Sequence, residues 1–133
     1  SADQYDGRVA GRAAVARAAH HAVLAAGALS PPPQAGRHLY ADLGPLRAGL
    51  AARGVTDSLE LEGLLTERLG SPAAGGHRFG DELGALRVRF GTRMFLGTSG
   101  EERTEALGAE DPRELPRVAR ALADFGAALE ELR

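Results

Sequence analysis

Three consecutive prolines, Pro31-Pro32-Pro33, constrain this chain more than any other stretch. Each lacks a backbone donor and pushes the residue before it away from helical geometry, so Ser30 to Gln34 can be neither helix interior nor central strand. The run divides the 133 residues into a leading segment, 1–29, and a body, 36–133, joined by a stiff connector. From Asp3 to about Ala26 the leading segment is rich in alanine and other good helix formers, with Gly7 and Gly11 inside it and Gly27 placed to end it. That composition predicts one long helix. Tyr5, Val9, Ala13, Ala16, His20 and Val23 recur at spacings of three or four and mark its expected inner face. His20 and His21 are sequence neighbours, and helix neighbours do not share a face, so they make a poor metal pair.

In the body, Gly36 opens a first expected strand over 37–43 that contains Leu39, Tyr40 and Leu43. Pro45 suits the first turn of a helix with Leu46 and Leu50 on its apolar side, closed by Gly54. Asp57-Ser58-Leu59-Glu60 is an acidic version of a capping box, and Leu61, Leu64, Leu65 and Leu69 form a stripe after it, with Gly70 to end the helix. A third strand is expected near Ser71 to Ala74, because two strands are few for a sheet. The glycine-rich stretch from Gly75 to Asp81 then feeds a strand on which Leu86, Val88 and Phe90 face one way and Arg87 and Arg89 the other. Gly91 to Gly97 reads as a loop with too many hydrophobic residues to be free. Ser99 to Glu102 matches a capping box for a short helix, Gly100 to Leu107, ended by Gly108, and Asp111-Pro112 makes a turn. Pro116 starts the last helix, whose Val118, Leu122, Phe125, Leu129 and Leu132 form a seam that packs on the domain or on a partner helix. The expected fold is a single α/β (α+β) domain over 1–133. It has a small, partly antiparallel sheet covered on one face by helices, a long N-terminal helix and a C-terminal helix.

Composition narrows the chemistry. Hydrophobic residues at 44% and charged residues at 26% fit a folded domain. A net charge of −2 leaves no basic footprint for nucleic acid or an anionic membrane. No apolar run is long enough for a membrane span, and no leader pattern is evident, which points to a cytoplasmic location. The absence of cysteine excludes disulfides, thiolate metal sites and a cysteine nucleophile. Four histidines without metal-ligand spacing give no zinc signature. All sixteen basic residues are arginine, so a lysine Schiff base or lysine general base cannot come from this chain. No phosphate-binding loop, dinucleotide fingerprint or nucleophile elbow is present. Most carboxylates fall at helix starts or on charged helix faces, where capping and solvation account for them. What is left is an arginine strand behind a glycine turn. The planar guanidinium fork pairs with carboxylates and phosphates in bidentate fashion, although a solvated basic face is the ordinary use of such a strand.

The order of these segments resembles the C-terminal small domain of fold-type I pyridoxal-phosphate-dependent aminotransferases. It runs from a long helix and a proline-rich connector through Gly36 ahead of Tyr40-Ala41-Asp42, a leucine helix and Gly76-His77-Arg78-Phe79-Gly80, to Leu86-Arg87-Val88-Arg89-Phe90. In that family a Gly-x-x-Phe-Gly turn, usually preceded by proline, leads to a strand arginine that binds the substrate α-carboxylate; here Gly75 stands in the proline's place. The resemblance implies that Arg87 holds the carboxylate of an amino or keto acid, that Gly36 approaches the substrate and that Tyr40 lies behind it. Arg89 is a second candidate contact, at a position where the family usually has a small polar residue. It further implies a homodimeric parent whose missing large domain supplies the lysine and the rest of the pyridoxal phosphate site, this chain alone being inactive. Two other classes remain: the effector-sensing part of an aminotransferase-like transcription regulator, and a helical protein-interaction domain that uses its terminal seam.

Overall fold

The computed structural model describes residues 2–33 and 36–133. Gln34, in the expected connector, lies outside them. The N-terminal helix α1 runs Ala2–Ala25 straight through Gly7 and Gly11. Its buried side overlaps the expected face only in part: Ala16 and Val23 are buried, together with Ala14, Val15, Ala19 and, just past the helix, Ala26, whereas Val9 is exposed and Ala13 and His20 are only half-buried. In a helix this rich in alanine the apolar residues form no distinct stripe, so tertiary packing chooses the face. The side chain of Tyr5 lies outside what the structure describes.

Three short strands build the sheet: β1 (His38–Asp42), β2 (Ala73–Gly75) and β3 (Arg87–Gly91), in the order β1-β3-β2 with both pairings antiparallel. The strand expected near Ser71 to Ala74 is thus present as β2, starting two residues and ending one residue further on. Between β1 and β2, a 3-10 turn at Gly44–Leu46 leads into α2 (Arg47–Ala52), and α3 spans Ser58–Leu69. Asp57 caps α3 by accepting the Glu60 N–H, while Glu60 reaches back to the Thr56 N–H and hydroxyl, so the reciprocal bond lands one residue before the cap. The hydrophobic loop after β3 contains a one-turn helix, α4 (Arg93–Leu96), too short to give a periodicity in the sequence; it buries Phe95 and Leu96. Helix α5 (Gly100–Gly108), capped by Ser99, and α6 (Pro116–Glu130) complete the chain.

Parity along the strands divides the sheet. Leu39, Ala41, Val88 and Phe90 point into the core, and His38, Tyr40, Asp42, Arg87 and Arg89 point the other way. Helices cover only the inner side. There the ring of Phe125 on α6 stands edge-on to both Phe90 of β3 and Phe95 of α4, with each pair of centroids 5.0 Å apart. Val118, Phe125, Leu129 and Leu132 of the terminal seam are buried and Leu122 is half-buried, so the seam is spent inside the domain. Among the described residues no helix is long and apolar enough to cross a membrane.

Because Phe125 ties the last helix to the sheet and to α4 at once, its loss should open a cavity that no single neighbour can fill. Phe125→Ala is expected to cost about 3–5 kcal/mol, measured as a fall in the urea unfolding midpoint.

Candidate functional site

The outward face of the sheet is the floor of a cleft of about 430 Å³. Cross-strand register fixes its polar rows. Asp42 lies opposite Arg87, and Tyr40 lies opposite Arg89, with Ala74 of β2 on Arg89's other side. Leu24 and Leu29, both exposed, rise at one wall with Ser30 and Pro31; Gly76, Phe79 and Asp81 of the glycine-rich turn form the other.

Arg87 is bracketed. Its Nε donates to Asp42 Oδ2 at 3.4 Å and its Nη1 lies 3.4 Å from Asp81 Oδ1. Asp42 first, and Asp81 after it, raise the Arg87 pKa above its ordinary value. Both separations are at the long end for such pairs, so the bracket orients the guanidinium without saturating its five donors. Asp42 itself is anchored by the Gly44 N–H, which donates to Oδ1 at 2.8 Å. Arg89 behaves differently. Its guanidinium carbon sits 4.0 Å from the centroid of the Phe79 ring, and Phe79 in turn stands edge-on to Tyr40 with centroids 6.3 Å apart. The stack holds Arg89 over an aromatic face and keeps Tyr40 half-exposed beside it.

The turn that carries Phe79 and Asp81 is held by α3. A 3-10 turn over Gly76–Phe79 follows β2. The buried carboxylate of Glu62 accepts the Gly75 N–H at 2.7 Å, Arg78 Nε at 2.8 Å and Arg78 Nη2 at 2.7 Å. These contacts lower the Glu62 pKa to about 2, the Arg78 bond being the largest cause; burial acts in the opposite sense and is outweighed. Ser58, one turn earlier on α3, shares a 2.7 Å hydrogen bond with His77 Nδ1, and His77 Nε2 faces Glu62 at 3.9 Å. Gly75 occupies the proline position of the resembled family for a physical reason. Its φ of −63° suits proline, but its N–H is committed to Glu62, and a Cβ there would lie 2.7 Å from the Ser58 carbonyl oxygen.

Of the residues singled out from the sequence, Arg87, Arg89 and Tyr40 come together in this cleft. Gly36 does not line it. At φ +72° it packs against α1, where a Cβ would meet the Ala13 backbone nitrogen at 3.1 Å, and its carbonyl accepts the buried Thr92 hydroxyl at 2.6 Å. Its role in this chain is to let the start of β1 cross the helix closely. Sequence reasoning missed Asp42, Phe79 and Asp81 as cleft residues. Strand parity alone would have found Asp42, since it shares the outward side with Tyr40. Among the described residues no group of three or more His, Asp or Glu side chains is placed to hold a metal ion.

The Glu62 contacts lead to two expectations. Its folded pKa lies below the ordinary 4.5, so its contribution to stability is complete above about pH 4.5 and is lost as the pH falls through about 2. Glu62→Gln should lower stability at neutral pH by about 1–3 kcal/mol, and its difference in urea midpoint from the wild type should narrow across that window. Gly75→Pro should destabilise more than Gly75→Ala, by about 1–3 kcal/mol, because proline adds the loss of the Glu62 bond to the same Cβ clash; equal thermal midpoints for the two variants would contradict this account.

Comparison with protein families, with curated proteins and with solved structures gives no match to this chain, so the reading of the cleft rests on its own geometry.

Proposed function

We propose that the chain is the C-terminal, substrate-binding small domain of a pyridoxal-phosphate-dependent aminotransferase, in which Arg87 receives the α-carboxylate of an amino or keto acid. The observation that carries the reading is the state of Arg87 on the uncovered face of the sheet. Its guanidinium is aimed by Asp42 and Asp81, yet its only hydrogen bond among the described residues is one of 3.4 Å. A substrate carboxylate that offers two oxygens at shorter range would take the unused edge of the fork. The aromatic pair Phe79 and Tyr40 and the exposed Leu24 and Leu29 supply apolar walls beside it.

The residues present do not fit the cofactor itself. With no lysine the chain cannot form the aldehyde's Schiff base, so the cofactor and every bond-making step belong to a large domain that this reading requires. The work left to Arg87 is positioning. By fixing the carboxylate it turns the substrate amine toward the cofactor, and apposition of the two domains across the cleft would exclude water.

Arg87→Ala, made in the protein that joins this chain to its large domain, should weaken amino-acid binding about ten- to hundredfold while leaving cofactor absorbance unchanged. The ion pairs of Arg87 are exposed and add little to folding, so the variant should remain folded. Unchanged amino-acid affinity, read by titration of the cofactor spectrum, would overturn the assignment; a loss seen only with Arg89→Ala would transfer the role to Arg89.

A further inference from the structure

At the other end of the sheet from Arg87, where the start of β1 and the end of β3 meet α1, α4 and α5, a second cavity of about 440 Å³ carries charge of one sign. Arg12, Arg37, Arg93 and Arg103 line it, with His38 beside them, and no carboxylate does among the described residues. This concentration occurs in a chain whose net charge is −2. Elsewhere Arg68, Arg78, Arg87, Arg113, Arg117 and Arg133 each have a carboxylate within 4 Å, while the scattered Arg8, Arg17 and Arg120 have none among the described residues. The side chains of Arg37 and Arg93 have no hydrogen bond or ion pair with any described group. Arg103 donates only one long bond, 3.4 Å, to the Gly97 carbonyl.

The backbone that presents the two unpaired arginines is fixed. The Thr92 N–H donates to the Arg37 carbonyl at 2.9 Å, and the buried Thr92 hydroxyl bonds the Gly36 carbonyl at 2.6 Å and the Arg37 carbonyl at 3.2 Å. Arg37 and Arg93, the residue after Thr92, are thereby held at adjoining positions on two different elements. The Arg37 and Arg93 guanidinium groups, set in one concavity with no carboxylate lining it among the described residues, repel one another, and a multivalent anion relieves that repulsion.

We propose that this cavity binds the diphosphate group of a small molecule, with Arg37 and Arg93 each gripping phosphate oxygens through paired N–H donors and Arg103 adding to the field. Two separate forks match two tetrahedral oxyanions better than one. The volume of this open cavity suits a ligand of metabolite size, with Leu96 and Leu107 as apolar lining for an organic remainder. A nucleic acid would need a basic stripe across the surface, which the overall charge of −2 does not provide. His38 reports on occupancy: desolvation and the charges of Arg89 and Arg37 lower its pKa, and a bound polyanion would raise it. This inference does not depend on the reading of the Arg87 cleft.

The test is calorimetric titration of the 133-residue chain with sodium pyrophosphate at low ionic strength, alongside ADP and citrate. One pyrophosphate per chain is expected, with affinity that falls as salt is added. Arg37→Ala and Arg93→Ala should each weaken it about tenfold, the scale of a lost charged hydrogen-bond pair. Neither side chain has a partner among the described residues, so both variants should keep the wild-type circular dichroism. Arg120→Ala, exposed on α6 outside the cavity, should bind as the wild type does, and the His38 imidazole resonances should titrate at higher pH with pyrophosphate bound. Tighter binding of ADP than of pyrophosphate would show that the diphosphate is carried on an organic group, and the reverse that it is free. Absence of saturable heat, equal weakening by Arg120→Ala, or citrate binding as tight as that of pyrophosphate would each overturn the proposal.

Discussion

The arrangement of the body depends on one buried carboxylate. Glu62 joins α3 to β2 through the Gly75 N–H and to the following turn through the two Arg78 nitrogens. Removing such a group from water is costly, and the cost is met only because three N–H donors, two of them charged, converge on it. The low Glu62 pKa records the outcome: hydrogen bonding outweighs desolvation. Everything the cleft presents from that side follows from this anchor. Phe79 is placed under Arg89, and Asp81 beside Arg87, because the turn between them and α3 is not free to move as a loop would.

One-sided burial is the second constraint. A sheet of three short strands with helices on a single face must leave its other face to solvent or to something else. Here that face is neither uniformly polar nor uniformly apolar. It alternates an Arg87–Asp42 row with a Tyr40–Arg89 row, and exposed Leu24, Leu29 and Phe79 border it. Such a surface combines orientation by charge with apolar walls, and it is on this mixture that the proposed substrate site rests.

Much of the fold could be read from local signals where those signals have a physical mechanism. Asp57 and Gly70 bracket α3 closely, because capping chemistry acts within one turn of the chain. The alternation Leu86-Arg87-Val88-Arg89-Phe90 assigned both faces of β3 correctly, because side-chain parity in a strand is independent of its partners. Other features had no local cause. The buried face of α1 was assigned only in part, at Ala16 and Val23, since alanine packs equally well on any side, and α4 was hidden in an apparent loop since one turn of helix has no period to detect. The cleft shows the same division. Arg87, Arg89 and Tyr40 were visible from parity, whereas Phe79 and Asp81 reach the site only through the Glu62 anchor, and the position of Gly36 against α1 depends on a close helix crossing that no spacing encodes.

An all-arginine complement of cations makes the difference between the two ends of the sheet a matter of neighbours alone. At one end Asp42 and Asp81 compensate Arg87, which leaves a directed donor set with little net field: an anion there gains mainly from geometry, and binding should be selective for a planar carboxylate that fits the remaining edge. At the other end Arg37 and Arg93 have no compensating acid among the described residues, so an anion would gain mainly from charge, and selectivity should follow valence more than shape. The same residue type thus yields an oriented contact or an electrostatic one, according to whether strand register brings a carboxylate opposite it. Asp42 faces Arg87 across the ladder, whereas at the far end the register pairs His38 with Gly91, so the β1–β3 pairing brings no acid to that end.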